Sequence, residues 1–214
     1  MSRHSLSFPR CFALFLCCTL LCLLCTSCIR PVQVNAPGLE NALPLLGADE
    51  SVVVNELGLT AVQPNTIPDS FTEEYVIDSA VDGNDCTVSL TFCNEVFASL
   101  GYTFPDTQGA FAYAVKMREA LGEQYGNTTT DPIQSEVQHS FDELTSAGEL
   151  KPSQLYYEDW AAAADSTQME KMLDGVPTER IDIRFSLFTL ENGGIVSVRY
   201  SPILADAAES EPAV

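Results

Sequence analysis

Ile181, Ile183, Phe185 and Leu187 alternate with Asp182, Arg184 and Ser186, and beyond Asn192-Gly193-Gly194 the alternation resumes as Val196, Val198 and Tyr200. Successive side chains of a strand point to opposite faces, so this pattern buries one face and leaves the other to water. Asn and Gly tolerate the positive φ of a tight reversal, and the two runs therefore predict an antiparallel hairpin over about 180–201. Its polar face carries Arg184, Ser186, Ser197 and Arg199. A sheet that is apolar on one side only needs a helix or a second sheet to cover that side.

A second hairpin is predicted over about 75–92. Tyr75, Ile77 and Val81 precede Asp82-Gly83-Asn84-Asp85, and Cys86, Val88, Leu90 and Phe92 follow. Cross-strand partners share parity, so these seven apolar residues reach one face and Cys86 becomes a core residue. After Pro105, the segment 107–125 places Phe111, Ala114, Val115, Leu121 and Tyr125 at helical spacing, with Asp106 as a cap and Gly126 beyond the end. The same periodicity suggests further helices over Ile133–Leu144, closed by Gly148, and over Leu155–Leu173. Val52-Val53-Val54 and Leu57–Val62 suggest an added strand, and Pro31–Pro44 reads as an aperiodic tether. The expected fold is α+β: an antiparallel sheet of four or five strands built from the two hairpins, the 107–125 helix on its apolar face, and more helices between.

The N-terminus carries Arg3, His4 and Arg10 without an acid, then an uncharged apolar run from Cys11 to Ile29. A basic start followed by an apolar stretch is the pattern of a secretory signal. Its end, Leu24-Cys25-Thr26-Ser27-Cys28, resembles the lipobox of bacterial lipoproteins. The resemblance covers the first 28 residues and implies that Cys28 becomes the lipidated first residue of the mature chain. Two other outcomes fit the residues. Nineteen uncharged residues span roughly 28 Å as a helix, enough for an uncleaved anchor, and Val34-Asn35-Ala36 has the small residues of an ordinary cleavage site. Each outcome places the rest of the chain outside the cytoplasm. The lipoprotein outcome divides the chain into a signal peptide (1–27), a lipidated tether (28–50), one α+β domain (51–204) and an acidic tail (205–214).

Six of the eight cysteines lie at or before position 28, which leaves Cys86 and Cys93 for the domain and excludes a disulfide scaffold. Seven residues of extended chain between them span about 23 Å, well beyond bridging distance, so reduced thiols are expected. Counted from Cys28, the chain has 30 acids against 8 bases, a net charge of −22. That field repels nucleic acid and anionic lipid and favours cationic peptides or metal ions.

The sequence lacks a Gly-rich phosphate loop and the HExxH, GxSxG and CxxC motifs. His139 is the sole histidine beyond the signal, too few nitrogen ligands for a zinc site or an obvious triad. Asp78, Asp82, Asn84 and Asp85 offer hard oxygen ligands of the calcium type, but a tight turn selects the same residues. No cofactor is expected. Candidate partner-binding residues are Tyr156, Tyr157 and Trp160, the densest aromatic group, together with Arg184 and Arg199, which pairing puts on one face, where they either grip a carboxylate or neutralise neighbours such as Asp182. These readings point to a lipid-anchored, non-catalytic module, attached to the membrane through its lipid, that binds a protein, a peptide or a cell-wall component and not nucleic acid. The alternatives are a motif-poor hydrolase working through paired carboxylates and a solute- or cation-binding lipoprotein.

Overall fold

A computed structural model of the chain describes residues 38–66, 71–129, 152–161 and 166–204. Seven strands form one antiparallel sheet in the order β1-β2-β3-β4-β7-β6-β5. They are β1 (Asn65–Thr66), β2 (Thr72–Val81), β3 (Asn84–Cys93), β4 (Val96–Phe104), β5 (Leu155–Ala161), β6 (Thr178–Thr189) and β7 (Gly194–Leu204). Among the described residues four α-helices accompany them: α1 (Leu39–Ala42), α2 (Glu50–Glu56), α3 (Thr107–Tyr125) and α4 (Ser166–Leu173). The class is mixed α+β. The layout of four or five strands in two hairpins is corrected by β1, β4 and β5, with β4 lying between the β2/β3 pair and the β7/β6 pair.

In the β2/β3 pair, Val81 lies opposite Asn84 across a two-residue turn whose Asp82 and Gly83 have φ of 53° and 81°. Positive φ at both turn positions gives the twist that matches paired strands. Tyr75, Ile77, Val81, Cys86, Val88, Leu90 and Phe92 are all buried. Burial pushes the Cys86 thiol up to about 11, and the charge of Asp85 acts in the same direction. Cys86 and Cys93 lie seven positions apart on the single strand β3, and both are free thiols.

β4 escaped sequence analysis because its pattern does not alternate. Val96, Phe97, Ala98, Leu100, Gly101, Tyr102 and Phe104 are all buried, because α3 covers one face of this central strand and α4 covers the Val96–Ala98 end of the other. The register shifts between Thr91 and Phe92, so that Phe97 lies opposite Phe92 and Val96 opposite Cys93. This sends Val96 to the face opposite Phe92, where Met169 and Met172 of α4 join it and Ala98 in a small second cluster.

α3 lies across the main apolar face. The Asp106 carboxylate accepts a hydrogen bond from the Gly109 amide at 2.6 Å, and Gly126, with φ 79°, ends the helix. Its buried residues are Gly109, Ala110, Tyr113, Ala114, Met117 and Leu121. The small ones let the helix come close, and the Tyr113 ring packs 4.5 Å from Tyr102 and 5.3 Å from Phe104, centroid to centroid.

Three sequence-based expectations fail. Val52–Val54 are helical, part of α2: Val53 is fully buried while Val52 is exposed, so the segment has one inward position rather than a strand's alternation. Intrinsic β-propensity yields here to tertiary contacts. Residues 39–50 are not tether. Leu39, Ala42, Leu43 and Leu46 are buried, the Gly47 amide donates to the Phe97 carbonyl at 2.8 Å, and Tyr200 Oη donates to the Leu46 carbonyl at 3.1 Å. The folded region therefore includes residues 39–50. Leu155–Leu173 is not one helix but β5 followed by α4. The expected helix over Ile133–Leu144, the lipobox and the acidic tail lie outside the described residues. Among the described residues, no helix is long and apolar enough to cross a membrane.

Candidate functional site

Beyond the small apolar cluster under α4, the sheet face opposite α3 is polar. Register places Ser89, Gly101, Ser197, Ser186 and Tyr157 in one row across β3, β4, β7, β6 and β5, and Thr91, Ser99, Arg199, Arg184 and Asp159 in the next. These side chains are short or flat, and those of Ser186 and Ser197 share a hydrogen bond of 2.8 Å. Gly101 keeps the centre low: a Cβ there would come within 2.7 Å of Ser89 Oγ.

Arg184 grips Asp159 with two hydrogen bonds, Nε to Oδ1 at 2.8 Å and Nη2 to Oδ2 at 3.0 Å. Its guanidinium carbon also lies 4.5 Å from the centroid of the Tyr157 ring. Forked pairing and stacking suit the planar guanidinium and fix its orientation. The neighbouring Asp159 carboxylate holds the Arg184 pKa above its ordinary value despite partial burial. Sequence analysis missed this use of Asp159, because a helical 155–173 would not have placed it beside Arg184. Asp182, the neighbour expected to be neutralised by the arginine pair, is held instead by Arg180 at 3.2 Å.

The five candidate residues separate by face. Tyr156 and Trp160 are buried on the α3 side and belong to the core, where the Trp160 indole donates to the Gly126 carbonyl at 3.0 Å. They offer no surface to a partner. Tyr157, Arg184 and Arg199 share the open face, with Arg199 exposed directly opposite Arg184.

Several carboxylates that could serve a cation or acid/base chemistry have protein partners. Asp82 pairs with Lys116 at 2.9 Å and Asp78 accepts from Thr87 at 3.0 Å, so these two acids are engaged in holding the hairpin and α3. Among the described residues, no group of three or more His, Cys, Asp or Glu is arranged to hold a metal ion. The buried carboxylates Asp159 and Asp182 each face an arginine rather than one another. Acid/base work by two carboxylates of unlike environment would need at least one of them uncommitted.

Because Asp159 is largely buried, Arg184→Met should destabilise the domain by about 2 kcal/mol, between the values of exposed and fully buried pairs. Urea unfolding followed by Trp160 emission would read it. Arg184→Met with Asp159→Leu should recover part of the loss, since the stranded charge is then gone. Equal losses in the single and double variants would mean that Asp159 tolerates isolation.

Compared with protein-family models, curated proteins and solved structures, the chain matches none.

Proposed function

We propose that this chain is a lipid-anchored cell-envelope protein whose α+β domain is a non-catalytic binding module outside the cytoplasmic membrane. The open sheet face carries the binding half of this reading. It presents hydroxyls, a stacked Tyr157–Arg184 pair and an exposed Arg199 across four neighbouring strands, while the other face is occupied by α3 and the core. A broad, rigid polar surface of this kind suits recognition of a peptide, protein or wall component, with arginine and tyrosine as its anchors. The engagement of Asp159 and Asp182 by arginine favours binding over the carboxylate-hydrolase reading.

The anchoring half rests on the lipobox-like Leu24–Cys28 run. A diacylated cysteine buries two chains at roughly 0.8 kcal/mol per methylene, which makes attachment effectively permanent. Intact mass and membrane fractionation of the full chain beside Cys28→Ala test it. The expected result is a diacylglyceryl-sized increment on a chain cut before Cys28, absent in the variant. An uncut chain that stays in the membrane in both versions would replace the lipid with a signal anchor.

A further inference from the structure

Six bases fall among the described residues, within a chain that contains 30 acids. Five of them are matched: Lys116 with Asp82, Arg118 with Glu158, Lys171 with Asp49 and Glu95, Arg180 with Asp182, and Arg184 with Asp159. Among the described residues Arg199 forms no ion pair or side-chain hydrogen bond, although it is exposed and acids are abundant. It also sits directly opposite Arg184 on the adjoining strand, an arrangement of like charges that disfavours pairing. The placement is therefore not explained by a charge partner among the described residues.

The surroundings of Arg199 are donors. Ser99 lies opposite it on β4, and Ser197 is two positions away on the same strand and face. Either hydroxyl can donate in the Ser186–Ser197 hydrogen bond, and with Ser186 as the donor the Ser197 hydrogen is left for an outside acceptor. The Arg184 fork is already filled by Asp159. A guanidinium with its donors unspent, flanked by hydroxyls, matches the geometry of a carboxylate.

The domain's net charge narrows the partner. A field set by about twenty excess negative charges opposes polyanions and anionic bilayers at long range and attracts net-positive chains. We propose that Arg199, with the hydroxyls of Ser99 and Ser197, is a carboxylate-binding point on the open face, and that its occupant is a carboxylate of a peptide whose overall charge is positive. The peptide's cationic residues would be drawn by the acidic domain, and its carboxylate would provide the missing partner of Arg199. This deepens the binding-module reading and rests on it.

The test uses the full chain in detergent micelles with nitrogen-15 arginine, following each Nε–Hε signal by NMR. The Arg199 signal is identified by its loss in Arg199→Gln. The probes are acetyl-Lys-Gly-Glu-Gly-Lys-amide, its Gln counterpart, and acetyl-Lys-Gly-Lys-Gly with a free C-terminus. The expected result is a saturable shift at Arg199 with the Glu peptide or the free C-terminus and none with the Gln peptide. The tighter of the two active probes identifies a side-chain or terminal source. Arg199→Gln should weaken binding at least tenfold, measured by peptide fluorescence anisotropy, and Arg199→Lys by several-fold because the fork is lost. Lys116→Gln, which lies away from this face, should leave it unchanged. No shift at Arg199, equal shifts with the Glu and Gln peptides, unchanged affinity in Arg199→Gln, or preferential binding to phosphatidylglycerol vesicles would overturn the inference. Carboxylate-independent binding that still shifts Arg184 and Arg199 would overturn it while leaving the binding-module reading in place. The Cys28 experiment reads the anchor alone.

Discussion

Trp160→Ala should lower the unfolding free energy by about 3–5 kcal/mol, the range for removing a large buried aromatic side chain. Trp160 is 1% exposed, and its indole N–H spends its single donor on the Gly126 carbonyl just past the end of α3. Truncation opens a cavity and releases that carbonyl. It also loosens β5, an edge strand held to the sheet by β6 alone. For a domain of this size the loss corresponds to a Tm decrease of about 6–20 °C, measured by circular dichroism because the variant has no tryptophan left. A decrease under about 3 °C would show that β5 contributes little to the cooperative unit. Trp160→Phe should lose roughly half as much, since the ring remains but the donor goes.

Gly193→Ala is the second large effect. Gly193 has φ 105°, outside the comfortable range of an L-residue, and an added Cβ would fall on the Phe104 carbonyl oxygen and within 3.1 Å of the carbonyl carbons of Phe104 and Pro105. These are backbone atoms at the junction of β4 and α3, so no side-chain rotation relieves the clash. Strain and overpacking together should destabilise by about 2–5 kcal/mol. Gly83→Ala is the contrast: φ is 81°, but open space surrounds the position, so only the conformational cost of about 1 kcal/mol applies. Urea midpoints from Trp160 emission would compare them. Similar losses in the two variants would mean that backbone conformation, not the approach of β4, sets the requirement at Gly193.

The glycine pair shows how a local signal understates a tertiary one. Asn192-Gly193-Gly194 marks a reversal in the sequence because such residues accept positive φ. In the fold the same glycines also make room: Gly194 has the Ala110 methyl of α3 2.7 Å from where its own Cβ would be, and Thr107 Oγ1 donates to the Gly193 carbonyl at 3.3 Å. Nothing in the turn's composition says that a helix sits over it.

The candidate site was legible to a similar degree. Alternation placed Arg184, Ser186, Ser197 and Arg199 on one face, because parity follows from strand geometry alone. Asp159 and Tyr157 could not be added, since the aromatic and alanine-rich run at 155–164 carries both a helical and an alternating pattern. Tyr156 and Trp160 went inside with the even positions of β5, which removes them from any surface role.

By itself, then, the sequence determined the local outcomes: which segments alternate, which residues of 75–92 and 180–201 face inward, where α3 is capped and stopped, and how acidic the domain is. These depend on properties of single residues and near neighbours, which the chain carries wherever it goes. Only the tertiary structure decided that β4 joins the β2/β3 pair to the β7/β6 pair, that 155–161 extends into a strand, that Val52–Val54 coil into α2, and that residues from Leu39 close one end of the core. Each was settled by a long-range partner: a neighbouring strand's unpaired amides and carbonyls, or an apolar surface that needed covering. The pairing of Arg184 with Asp159 belongs to this second group.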